Sequence, residues 1–70
     1  MIEVYKTNVQ VSEDASHVIG ALLVHLPHSK INFDLDDCDK ILRIEADHIS
    51  NHTVIHLMKV MNYHCEVLPD

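Results

Sequence analysis

Seventy residues are room for a single domain spanning 1–70, and a chain this short buries only about 60% of its unfolded surface. A large enzyme fold with a deep preformed cleft is excluded, and 47% hydrophobic residues with one Gly and two Pro exclude a disordered or low-complexity chain. Eleven acids against five Lys or Arg leave a net charge of −6, which argues against nucleic acid as a partner; seven histidines, all protonated, add seven charges and bring the total to +1.

Met1 to Val9 is rich in Val, Ile, Tyr and Thr and predicts a strand. Ile2 and Val4 lie on one parity, and Tyr5, Thr7 and Val9 on the other, so either face could meet a core. Ser12 is a good N-cap, with Glu13 and Asp14 in a first turn that favours negative charge. Ala15, Val18, Ile19, Leu22 and Leu26 then recur at helical spacing until Pro27 stops the helix. Gly20 and Val24 fall opposite that stripe, which leaves the helix more apolar than one face needs.

Ile31, Phe33 and Leu35 alternate with Asn32 and Asp34 in a half-buried strand. Asp36-Asp37-Cys38-Asp39 is a polar turn, and Lys40 to Glu45 returns as the second arm of a hairpin. Ser50 caps a second helix, with Ile49 and Val54 placed as a hydrophobic staple. Its buried stripe is Val54, Leu57, Met58 and Met61, and Asn62 is a left-handed cap. Tyr63 to Leu68 is a last strand, stopped by Pro69. The order β-α-β-β-α-β predicts an α+β, ferredoxin-like fold: a four-stranded antiparallel sheet, two helices on one face and the other face open.

Several strings in this order resemble the heavy-metal-associated domain of copper chaperones and metal-transporting ATPases, over nearly the whole chain. They are Tyr5-Lys6-Thr7-Asn8-Val9, Val18-x-x-Ala21-Leu22, Asp39-Lys40-Ile41-Leu42-Arg43-Ile44-Glu45 and Asn62-Tyr63-His64-Cys65-Glu66-Val67-Leu68. The resemblance implies a metal-binding module. That family binds metal at Cys-x-x-Cys between the first strand and first helix, where paired thiolates hold soft ions. Here those two positions are Val11 and Asp14. Val11 cannot ligate, and Asp14 is a hard oxygen donor.

Any metal binding is therefore expected to be weak and to fall to His and Asp, with Zn or Cu as the divalent ion. Asp14 and His17 are three apart at a helix start, on one face, and both side-chain types bind Zn(II). The simpler reading is a first-turn acid beside a solvated histidine, since two ligands are not a site. His52 and His56 are four apart on the second helix, an i, i+4 pair that can chelate Zn, Ni or Cu(II). They lie opposite the apolar stripe, and the simpler reading is a solvated face that binds metal only adventitiously. Thr53 replaces the Glu of a zinc-protease motif. His25 is expected to pack partly buried, and His64 to sit on the open sheet face; His28 and His48, in loops, carry no assignment. The acids Asp34 to Asp39 have Cys38 and Asp39 where a calcium loop needs a ligand and a Gly, so they read as a solvated turn. Cys38, among acids, is no activated nucleophile, and Cys65 reads as a buried filler.

No arrangement of nucleophile, base and phosphate loop is present, so no catalytic residue and no enzyme activity is expected. The primary expectation is a small binding domain without the thiolate site. The alternative is a metal-independent protein-interaction or self-association module using the open sheet face or the Gly20, Leu23 and Val24 helix face. A third is a pH-responsive partner domain driven by histidine. The longest apolar run, Ala21 to Val24, is far below the ~20 residues of a membrane span, and no charged-then-apolar leader opens the sequence. A cytoplasmic protein with a protein partner or a homo-oligomeric state is expected, without membrane or nucleic acid.

Overall fold

The computed structural model describes residues 1–69. Its elements are β1 (Ile2–Thr7), α1 (Ser12–His25), β2 (Lys30–Asp34), β3 (Ile41–Glu45), α2 (Asn51–Val60) and β4 (Cys65–Val67). The strands form one antiparallel sheet in the order β2-β3-β1-β4. This is the ferredoxin-like α+β arrangement that the element order predicts.

The register settles which parity of β1 faces the helices. Tyr5 pairs with Leu42 and Thr7 with Cys65, and all four are buried. Val9, just past the strand, is buried too. Ile2 and Val4 lie on the opposite face beside Glu45 and Arg43. The core joins Tyr5, Val9, Leu42, Ile44 and Cys65 to Ala15, Val18 and Leu22 of α1 and to Val54 and Met58 of α2. Both helices thus bury their stripes on one side of the sheet.

Several boundaries differ from expectation. Val11, not Ser12, is the N-cap of α1: its carbonyl accepts from the Ala15 amide at 3.0 Å, so the helix begins one residue earlier, without a side-chain cap. The first strand ends at Thr7, whose amide donates to Asp39 O at 3.0 Å, and the last shrinks to Cys65–Val67. His25 is exposed, contrary to the packing role expected of it, because Leu22 and Leu26 fill the helix–sheet seam instead. The half-extended Leu26 ends α1 as the residue before Pro27 should. Ser50 does cap α2, accepting from the Thr53 amide at 3.3 Å.

Asn62 closes α2 as the sequence predicts. At φ 69° it occupies the left-handed region; its amide donates to Lys59 O at 2.9 Å, and the Tyr63 amide donates to Met58 O at 2.9 Å. That bond pair is the Schellman motif. Lys40, at φ 46°, is a second left-handed residue and ends the β2–β3 turn. No helix among the described residues is long and apolar enough to cross a membrane.

Candidate functional site

Two ends of the molecule carry the polar side chains able to do chemistry. At the upper end, the Thr7–Asp39 bond joins β1 to the β2–β3 turn. Asn8 Oδ1 accepts from the His64 amide at 2.8 Å, which draws in the α2–β4 connection. The first turn of α1 lies beside the end of β2, across a shallow groove of about 340 Å³ lined by Ser12, Ser16, Asn32, Asp34 and Asp36.

Asp14 and His17 stand in this end, both exposed on the first turns of α1. Neither belongs to a group of three closely spaced metal-ligating atoms among the described residues. His52 and His56 are likewise exposed on α2, as their place opposite Val54 and Met58 requires, and no third ligand closes on them. The positions matching the family's thiolates are Val11, the exposed cap, and Asp14; no thiol stands between β1 and α1.

In the turn expected to be merely solvated, Asp37, Cys38 and Asp39 bring their ligand atoms within 4.8 Å of one another. The turn explains the grouping. Asp37 Oδ1 accepts from the Asp39 amide at 2.8 Å, folding the backbone so that three consecutive side chains converge. Asp37 O accepts from the Lys40 amide, and Lys40 Nζ donates to Leu35 O at 2.8 Å. Asp39 also faces Lys6 Nζ at 3.7 Å, so a cation would compete with an ammonium. The sequence signal for it was an Asx turn followed by a second acid, which a charge count alone does not resolve.

The two thiols have opposite surroundings. Cys38 is exposed, whereas Cys65 is buried against Thr7. Burial, reinforced by the Glu66 carboxylate, pushes the Cys65 thiol up to about 12, so it stays protonated and a poor ligand at neutral pH. Burial also holds the Tyr5 phenol well above its ordinary range, with Glu3 and Cys65 adding to the effect. Tyr5 Oη donates to Asn51 Oδ1 at 2.6 Å and ties β1 to the start of α2.

On the open sheet face the sequence alternation leaves Lys6, Lys30 and Arg43 among Asp34, Glu45 and Glu66. Arg43 faces Glu45 at 3.6 Å, and His64 Nε2 faces Glu66 at 3.8 Å, on the strand parity expected for His64. These pairs are exposed and add little stability. A comparison with models of known protein families gives no match, and a comparison with curated proteins gives none.

Proposed function

We propose that this chain is a small, non-catalytic binding module that takes up a divalent ion such as Zn(II) or Cu(II) through imidazole and carboxylate groups. It would be a counterpart of the heavy-metal-associated domain in which His and Asp replace the thiolate pair. The observation that supports this reading is the exposure of all seven histidines. None is held in the core, so each keeps an imidazole free to ligate, and neutral imidazole is the commonest protein ligand for such ions. Asp14 with His17, and His52 with His56, are pairs of donors at spacings that one ion can bridge. Two free thiols without a disulfide fit a reducing, cytoplasmic setting.

Native mass spectrometry of the chain with Zn(II) tests this reading. Retention of one ion per chain supports it; a spectrum with no bound ion at a severalfold excess of Zn(II) overturns it.

A second reading, association with a protein or with another copy, is supported by Val24 and Val60, which are 77% and 66% exposed on the helices. A mass that rises with concentration and falls in Val24→Lys supports it, and a monomer throughout argues against self-association.

A further inference from the structure

At the lower end of the molecule, the turn after α1 meets the connection between β3 and α2. A cleft of about 270 Å³ lies between them. Its lining includes His25, His28, Asp47 and His48, with Leu26 and Pro27 as apolar wall. Three of the seven histidines and a carboxylate therefore share one concavity, although they come from two segments some twenty residues apart. The groove beside α1 and β2 is lined by no histidine, and the shallow cleft at Met1 and Lys30 by His28 alone. We propose that this cleft is a Zn(II)-type divalent metal site, with His25, His28 and His48 as imidazole ligands and Asp47 as the carboxylate.

The donor set is the one that suits such an ion. Three imidazoles and one carboxylate satisfy a four-coordinate tetrahedral centre, and they disfavour Ca(II) and Mg(II), which take oxygen. The ligands are not drawn together beforehand: among the described residues, only Asp37, Cys38 and Asp39 hold three ligand atoms within 4.8 Å. All three imidazoles and Asp47 are exposed, so their side chains are free to turn inward on binding. Ordering them costs rotamer entropy, which makes the site one of moderate affinity.

The surrounding charges are mixed. His28 and Asp47 also border a neighbouring shallow cleft that contains Lys30, Glu45 and Met1. Lys30 lies directly across the strand pair from Glu45, which offsets its charge. The C-terminus of α1 favours a cation, while α2 brings its N-terminus to the same end with no acid in its first turn. The helix dipoles therefore oppose one another, and the site stands on its ligands. An ion bound there would clip the α1–β2 turn to the β3–α2 connection, stabilising the folded chain by binding it and not the unfolded one.

The inference rests on the metal-binding reading above and gives it a location. The test is a Zn(II) titration of the full chain, followed by heat of binding and by histidine imidazole resonances. The native protein is compared with His28→Ala/His48→Ala, with Asp47→Asn and with His52→Ala/His56→Ala. The imidazoles of His25, His28 and His48 are expected to shift together on the native protein, a readout that needs no variant to fold. Affinity is expected to fall by roughly tenfold or more in His28→Ala/His48→Ala, the scale on which even supporting groups act. A fall of that size in His52→Ala/His56→Ala, with none in His28→Ala/His48→Ala, would put the ion on the α2 pair and overturn the location. Zn(II) binding that survives in His28→Ala/His48→Ala, with other imidazoles shifting, overturns the location and leaves the metal-binding reading standing. Absence of any binding to the native protein overturns both.

Discussion

Cys65 and Asn62 show how single residues carry the fold. The Cys65 thiol, raised from 9.0 to about 12 by burial and by Glu66, keeps its proton in the folded chain to a higher pH than in the unfolded one. The folded state thus binds the extra proton, and its contribution to stability is complete below about pH 9.0 and is lost as pH rises toward 12. Tyr5 acts in the same direction. The urea midpoint is expected to fall as pH rises above 9.0, and to fall less steeply in Cys65→Ala; equal slopes would contradict the burial account. At neutral pH an alkylating reagent should reach the exposed Cys38 in the folded chain and the buried Cys65 only on unfolding. Asn62 holds φ 69° where Ala is disfavoured, so Asn62→Ala is expected to cost roughly 1 kcal/mol in chemical denaturation. Asn62 and the buried Cys65 were both legible in the sequence, one from its place after a helical stripe and the other from its place in a strand. The left-handed Lys40 was not, because it depends on Asp37 O and Leu35 O accepting from its backbone amide and its ammonium, contacts that only the folded turn creates.

Among the elements, the two helices separate what pattern reveals from what it leaves open. Their stripes followed directly from spacing: Ala15, Val18 and Leu22 on α1, and Val54 and Met58 on α2, are all buried. The parity of β1 did not, since Ile2 and Val4 are as strand-forming as Tyr5 and Thr7. Pairing with Leu42 and Cys65 decides it. The cap of α1 was misplaced by one residue because Ser12 is the better capping side chain, yet the first helical bond goes to Val11 O. Gly20, in the middle of α1, is exposed, and a methyl group there would meet nothing within 4 Å. Its position requires no special backbone freedom, since its φ is not positive. Gly20→Ala is therefore expected to raise stability by about 0.4–1 kcal/mol, through helix propensity and a less free unfolded chain. A thermal melt checks this, and destabilisation would mean that the face packs against something in solution.

Across the whole molecule, an acidic chain divides its groups by location. Lys6, Lys30 and Arg43 lie on the open sheet among compensating carboxylates, and the histidines lie on helices and loops. Residue spacing sets each histidine's neighbours along a helix, and so the pairs Asp14/His17 and His52/His56 are legible from spacing alone. Spacing does not reveal that His28 and His48 line one cleft, because that depends on α1 ending where β3 hands over to α2. The antiparallel order β2-β3-β1-β4 brings those two connections to one end of the molecule.

The most direct test of divalent-ion uptake by exposed histidine is a Zn(II) titration at neutral pH, read from the histidine imidazole resonances of the native chain. Shifts that saturate at one ion per chain, led by His25, His28 and His48, are expected. Imidazole resonances that stay unmoved at stoichiometric Zn(II) would contradict it, and would leave the exposed apolar face of the helices as the surface to pursue.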